Sequence, residues 1–307
     1  MVAIVRQIFL TRHSELRVAW RLVVFLVLVS VGLLCLYVLA WALSWHDAEA
    51  EASALALALV GATFCMVRVV NRKPFKAVGL DWSRGGGREF GLGCLLGLLM
   101  MAGIFIVEHA LGYASIASRG LTVLESVTIL LRGAVLFAIA ALAEELLFRG
   151  YAFQTLMYGI TFLPAMLLFS ALFAAAHYAN PHTTTLAFVN IGLAGIWLSF
   201  AYLKTRTLWL PFGLHFSWNY CQTVLFSFPT SGFEMSGRQL LVTTQSGPVW
   251  LTGGEFGPEG GVLATVAIVL CTGYVLKSSM VRRREVVVTL DTIEDLLPGG
   301  NGKGQMK

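Results

Sequence analysis

Long apolar runs separated by short polar connectors make up most of this 307-residue chain. Eight such runs can be marked, and most approach the ~20 residues that a ~30 Å hydrocarbon core requires. They lie at about residues 22–45, 52–70, 90–109, 126–148, 163–178, 184–203, 208–228 and 262–280. The pattern predicts an all-α, polytopic transmembrane helical bundle of about eight spans.

The composition supports this prediction and excludes a soluble protein. Length alone would allow two soluble domains, but 57% of the residues are hydrophobic, 13% are charged and the mean hydropathy is +0.76. The first apolar run follows four arginines and is too long for the hydrophobic region of a cleaved signal peptide, so we interpret it as a retained span. The lipid bilayer is therefore a predicted partner.

The basic residues are distributed unevenly between the two predicted sides of the membrane. Of the 22 lysines and arginines, only Arg119, Arg132 and Arg238 fall on the side opposite the N-terminus. The positive-inside rule then places both termini in the cytoplasm. The layout and the absence of an organellar transit peptide favour a bacterial plasma (inner) membrane, and no basic patch indicates nucleic-acid binding.

Six segments follow from this topology. They are a cytoplasmic basic N-terminus (1–21), three transmembrane spans (22–119), four further spans (120–228), an external loop (229–261), a last span (262–280) and a cytoplasmic polar tail (281–307). The glycine-rich stretch 253–261 follows no strand and lacks Lys-Ser/Thr, so it predicts a turn-rich loop rather than a phosphate loop. We expect Gly93 and Gly97 to permit close helix packing.

Two glutamates, Glu144 and Glu145, lie inside the fourth apolar run, and Arg149 directly follows it. Ionisable groups in a membrane span are costly and normally face a cavity or a partner, which points to an active site. Glu145 and Arg149 are one helical turn apart and should pair. Glu144 is rotated by about 100° from Glu145, so we expect it to face a different environment and to act as a general base on water. A purely structural charge network is the alternative.

Two further polar motifs occupy later spans. An antiparallel helical hairpin turning near residues 159–162 would bring His177 to the height of Glu144, provided that the fourth helix continues past Gly150. His215 and Asn219 share one face of the seventh span, and such donors can stabilise the oxyanion formed when water attacks a carbonyl. The sequence thus predicts one site built from three helices.

The ordered motifs Glu-Glu-xxx-Arg, Phe-xxx-His and His-xxx-Asn resemble those of the CPBP (CAAX protease and bacteriocin-processing, Abi) family of intramembrane peptidases, which includes the type 2 CAAX prenyl endopeptidase. The resemblance implies that Glu144 activates water with help from His177, that His215 and Asn219 stabilise the oxyanion, and that Glu145 and Arg149 support the base. It covers about residues 120–228.

The resemblance leaves the use of a metal open, since the family has been called a metallopeptidase. If zinc takes part, Glu144, His177 and His215 would be the ligands. The chain has no HExxH motif, and the glutamate-water mechanism can proceed without zinc, so we expect no tightly bound metal.

These observations predict an intramembrane endopeptidase whose cavity opens toward the cytoplasm. The substrate would be a peptide or protein, with a prenylated CAAX tail or a peptide precursor as candidates. One rival is a non-catalytic membrane scaffold or bacteriocin-immunity protein. Another is a proton-coupled transporter, which the lack of an internal repeat disfavours.

Overall fold

The structure, a computed structural model, describes residues 8–11, 15–45, 48–235 and 239–282. Much of the predicted basic N-terminus (1–21) and nearly all of the predicted polar tail (281–307) lie outside these ranges. Within them the chain is mostly helical, with a single pair of short strands.

Ten α-helices are numbered here in chain order. They are α1 Val18–Ala42, α2 Ala48–Cys65, α3 Gly86–Ala110, α4 Val123–Phe148, α5 Tyr151–Ile160, α6 Phe162–Ala176, α7 Thr185–Thr205, α8 Trp209–Tyr220, α9 Val249–Thr252 and α10 Val262–Lys277. Helices α2 and α8 continue into wider π-helical turns at Met66–Val70 and Cys221–Leu225. Strands β1 (Ala114–Ser118) and β2 (Leu241–Gln245) pair antiparallel, with Ile116 opposite Thr243.

The predicted membrane bundle is confirmed. Each of the eight predicted spans coincides with a helix, and in the described ranges five helical stretches are long and apolar enough to cross a bilayer: Val18–Ala42, Glu49–Val70, Gly86–Ala110, Val123–Ile160 and Thr185–Thr205. Helices α6 and α10 are shorter and also apolar. Large apolar side chains such as Leu34, Leu131 and Leu270 are exposed on the outside, as expected where helices face lipid. The chain is an integral membrane protein.

The two ends of the bundle differ in character. At one end, which we call the basic end, Lys204 Nζ donates to the carbonyl of Leu276 (2.7 Å) and Arg88 Nη2 donates to that of Met280 (3.1 Å). At the other, the loop end, lie the β1–β2 pair and the segments 226–235 and 239–261. Helices α3 and α8 both run from the basic end to the loop end.

Gly93 and Gly97 bring α3 into close contact with α8, as predicted. A Cβ added at Gly93 would lie 2.6 Å from the carbonyl oxygen of Leu210, and one at Gly97 would lie 2.1 Å from the hydroxyl of Ser217. Small residues let helix backbones approach in a bilayer, where packing rather than hydrophobicity holds helices together. This contact fixes the depth and rotation of α8, which carries His215.

The fourth predicted helix is broken at Gly150, which separates α4 from α5. A Cβ at this position would lie 2.1 Å from the carbonyl oxygen of Leu146, so a larger residue would not fit the break. Helix α5 continues to Ile160, Thr161 turns the chain at a φ of 72°, and α6 runs back beside α5. The Phe148 and Phe173 rings meet edge to face at 5.0 Å, which places the ends of α4 and α6 at the same height.

Candidate active site

Glu145 lies at the centre of a buried ionic cluster and is 0% exposed. Its Oε1 accepts a hydrogen bond from Arg149 Nη1 at 3.1 Å, so the expected i, i+4 pair is present. Arg149 Nη2 donates to the carbonyl of Gly195 on α7 at 3.0 Å. The motif at the end of α4 therefore also ties α4 to α7.

Phe173, the aromatic residue of the second motif, packs against the same cluster. Its ring centroid lies 4.9 Å from the Arg149 guanidinium carbon, a cation–π distance, and 6.1 Å from the His215 ring in an edge-on arrangement. The aromatic position of Phe-xxx-His thus covers the arginine of the first motif and keeps it from lipid.

His215 joins the two glutamates. Its Nδ1 lies 2.9 Å from Glu145 Oε1, and since a carboxylate accepts, Nδ1 carries the proton and donates. The other ring nitrogen, Nε2, lies 3.6 Å from Glu144 Oε2. A carboxylate that accepts a hydrogen bond from one ring nitrogen fixes the tautomer and orientation of the ring. Glu145 therefore orients His215 so that Nε2 faces Glu144.

Glu144 occupies a different environment from its neighbour, as the helical rotation predicted. Its side chain is 28% exposed and lines the cavity, whereas that of Glu145 is fully buried. Among the described residues, Oε2 of each glutamate is buried without a hydrogen-bond partner, but of the two side chains it is Glu144 that lines the cavity. Of the two adjacent carboxylates, Glu144 is the one available to a molecule in the cavity.

His177 and Asn219 complete the cavity side of the site. His177 caps α6, and its Nδ1 donates to the carbonyl of Phe173 at 2.8 Å, which leaves Nε2 as the free ring nitrogen. Both side chains line the same cavity as Glu144 and His215. The structure therefore brings all six predicted residues together, four at the cavity and two behind it. Their chemical roles stay predictions.

The cavity has a volume of about 450 Å³ and a mainly apolar lining. We expected it to open toward the basic, predicted cytoplasmic end. Its lining instead extends from Glu144 and His215 to Thr230, Ser231 and Phe233 at the loop end, and this expectation is corrected. The reason is that the chain after α8 folds back over the helices, which the hydropathy pattern does not report.

Glu259 is a site residue that sequence reasoning missed. It belongs to the glycine-rich stretch, yet it is 6% exposed and lines the cavity. Burial raises the pKa of Glu259, while hydrogen bonds from Ser231 and Trp218 act in the opposite direction. A glutamate in a turn is usually exposed, and no periodic pattern in the sequence indicates that Glu259 is buried.

Glu255, in the same glycine-rich stretch, is exposed and pairs with His182, whose Nδ1 lies 2.9 Å from Glu255 Oε2.

The fit of a metal can be judged from the donor groups. Over the described ranges, no three His, Cys, Asp or Glu side chains are grouped so that they could hold a metal ion. Glu144, His177 and His215, named as the ligands if zinc takes part, thus do not form such a group. All five cysteines are free thiols.

The described residues form a membrane-type helical bundle with a polar site on three helices, and one family model matches the part of the chain that carries this site. Residues 126–221 match the family model described as type II CAAX prenyl endopeptidase Rce1-like, and this segment contains all six predicted site residues. The predicted resemblance is confirmed for this segment of the chain.

The chain is also similar to one bacterial protein along a longer segment. The uncharacterized protein YyaK of Bacillus subtilis (strain 168) is 25% identical over 203 residues, covering 63% of this chain and 66% of that protein, slightly less than two thirds of its length. No solved structure matches.

Proposed function

We propose that the protein is an intramembrane endopeptidase in which Glu144 activates the attacking water. The observation that carries this proposal is the buried Glu144 Oε2, which has no hydrogen-bond partner in the described part of the chain and lies 3.6 Å from His215 Nε2 at the cavity. A water molecule about 2.8 Å from both atoms would satisfy each of them. Glu144 then accepts a proton from that water as it attacks the peptide carbonyl carbon.

The oxyanion of the tetrahedral intermediate is stabilised by His215 and Asn219. With Nδ1 donating to Glu145, a proton on Nε2 makes the ring an imidazolium that donates to the oxyanion. Arg149 and this imidazolium balance the charges of Glu144 and Glu145, so the desolvated cluster is neutral as a whole. Asn219, one turn further along α8, supplies a second donor from its amide group.

Collapse of the intermediate breaks the carbon–nitrogen bond and requires a proton for the leaving amine. Glu144 holds the proton taken from water and returns it to that nitrogen. His177, whose Nδ1 is occupied by the Phe173 carbonyl, offers Nε2 to orient the water or the amine. No group is consumed, and the site returns to its starting protonation.

The substrate we propose is a peptide or membrane-bound protein with apolar residues near the cleaved bond, including CAAX-type sequences. Leu136, Phe137, Ile191 and Trp197 line the cavity and favour apolar side chains or an attached prenyl chain. The description of the family supports the CAAX assignment. Lipid on the outer faces of the same helices would hold such a substrate close to the site.

The test compares peptide termini in membranes from cells that carry the wild-type protein, Glu144→Ala at matched expression, or no protein. New termini that require both the protein and Glu144 would support the proposal and reveal the substrate. Identical termini with wild type and Glu144→Ala, together with a phenotype for the deletion, would overturn it in favour of a non-catalytic scaffold.

A further inference from the structure

The glycine-rich stretch 253–261 reaches the active-site cavity through the carboxylate of Glu259. Glu259 Oε2 accepts hydrogen bonds from the backbone N–H of Ser231 at 2.7 Å and from its hydroxyl at 2.8 Å. Glu259 Oε1 accepts from Trp218 Nε1 at 3.2 Å. Ser231 lies in the loop after α8, and Trp218 lies between His215 and Asn219 on α8. One buried carboxylate therefore joins the loop to the helix that carries two site residues.

The backbone around Glu259 is held from behind by Asn190 on α7. Asn190 Nδ2 donates to the carbonyls of Glu259 and Gly261, both at 2.8 Å. The hydroxyl of Thr265 on α10 donates to Asn190 Oδ1 at 2.6 Å. Because two spans fix this backbone, the carboxylate serves as a rigid acceptor for the loop that it faces.

The loop segment facing Glu259 is residues 230–235, which we call the cavity roof. Its members Thr230, Ser231, Phe233, Glu234 and Met235 line the cavity. Gly232 N donates to the carbonyl of Phe256 at 2.9 Å, and Asn180 Nδ2 donates to the carbonyl of Ser231 at 2.9 Å.

Gly257 allows the glycine-rich stretch to approach the chain just before the roof. Its φ is +98°, and a Cβ there would lie 2.1 Å from the carbonyl oxygen of Pro229. The stretch thus packs directly against the chain leading into the roof.

We propose that Glu259 is a positioning residue that fixes the cavity roof as a wall of the substrate-binding site. This inference rests on the proposed function and extends it, since it assigns the glycine-rich stretch to substrate binding. The contacts that hold Glu145, Arg149 and His215 to one another do not involve Glu259. Replacing Glu259 should therefore reduce the affinity for substrate far more than it reduces the rate of the chemical step.

The experiment uses the full-length protein in detergent or liposomes. The probe is an internally quenched peptide built on a cleavage site that requires Glu144 in the comparison of termini. Glu259→Gln replaces one carboxyl oxygen with an amide donor, which then faces the donors of Ser231 or Trp218. We expect KM to rise about tenfold, as for the loss of a buried hydrogen bond, with kcat changed less than about threefold.

A second measurement needs no substrate. Hydrogen exchange of the peptide containing Ser231 should be faster in Glu259→Gln, because the Ser231 amide has lost its carboxylate acceptor. Glu255→Gln is the matched control, since Glu255 lies in the same stretch with its side chain 81% exposed. It should change neither KM nor exchange at the roof.

Ser231→Ala provides a milder variant if Glu259→Gln does not fold, because it removes one hydroxyl donor and keeps the carboxylate. It should raise KM in the same direction by a smaller factor. An unchanged KM in a folded variant with faster exchange, or a fall in kcat alone, would overturn the proposal. A cleavage pattern independent of Glu144 would instead show that the proposed function itself has failed.

Discussion

At the scale of single residues, two adjacent glutamates differ because a helix points them in different directions. Glu145 is fully buried and contacts Arg149 and His215, whereas the side chain of Glu144 is 28% exposed and lines the cavity. The same substitution at the two positions should therefore have different consequences, one for the reaction and the other for the fold.

Glu144→Gln should abolish most activity while leaving the protein folded. The amide cannot accept the proton of water, and general-base catalysis typically contributes about 10²- to 10⁴-fold. The check is kcat of the purified variant beside its melting temperature in detergent. An active Glu144→Gln protein would rule out the base that we propose.

Glu145→Gln should mainly destabilise the protein. Removing one partner of a buried ion pair leaves Arg149 uncompensated, at a cost of about 3–5 kcal/mol. Thermal or denaturant unfolding, with Glu144→Gln as the matched control, measures the difference. Equal stability of the two variants would mean that the cluster does not support the fold.

At the scale of helices, close packing of α3 on α8 decides where His215 sits. Gly93 and Gly97 leave no room for side chains, because the backbone of α8 and Ser217 occupy the space. The pattern Gly-xxx-Gly predicted a packed face on α3 but did not identify α8 as its partner, because hydropathy contains no information about which helices contact each other.

Gly97→Val should displace α8, destabilise the protein by about 1–3 kcal/mol through overpacking and reduce activity. Gly103→Ala in the same helix is the control, because a Cβ at Gly103 meets nothing within 4 Å. Unfolding and peptide cleavage are measured for both variants. Similar losses in both would show that glycine matters for the helix itself rather than for its contact with α8.

The loop carrying Glu259 should make stability depend on pH. Burial raises the pKa of Glu259, so above the ordinary glutamate value of about 4.3 the folded state binds more protons than the unfolded chain. Stability should fall as pH rises through this window to the raised pKa.

Melting temperatures measured from about pH 4 to pH 7 test this dependence. The wild-type protein should lose more stability across the range than Glu259→Gln. The glutamine cannot ionise, so the substitution itself contributes an effect on stability that does not change with pH. Glu255→Gln should follow the wild type because Glu255 is exposed. Parallel curves for wild type and Glu259→Gln would contradict the prediction.

At the scale of the whole molecule, the cavity and the basic residues lie toward opposite ends. Lys76 is exposed at the basic end, whereas Phe233, 55% exposed, belongs to the cavity roof. The positive-inside rule places the basic end in the cytoplasm, which would put the roof on the outer face.

Cysteine labelling in intact cells tests this orientation. In a variant without the five native cysteines, Phe233→Cys should react with a membrane-impermeant maleimide, and Lys76→Cys should react only after the cells are permeabilised. The reverse labelling pattern would show that the orientation is inverted, with the cavity roof in the cytoplasm. Matched expression of the two variants is the control.

The sequence by itself determined the membrane bundle, the eight helices and the six polar residues of the candidate site. Apolar runs of sufficient length have one stable arrangement in lipid, because every backbone polar group must be satisfied within a helix. Placing an ionisable side chain in a bilayer has a high free-energy cost, so such residues usually have a function there. The positions of Glu144, Glu145 and Arg149 in and next to an apolar run therefore predicted a candidate site.

Only the tertiary structure decided how these helices and loops meet. It joined His215 to Glu145, broke the fourth helix at Gly150, and folded the glycine-rich stretch over the cavity so that Glu259 became buried. These features depend on contacts between residues far apart in the chain. Hydropathy and helical period record only the neighbours of each residue along one helix, so no local pattern could report them.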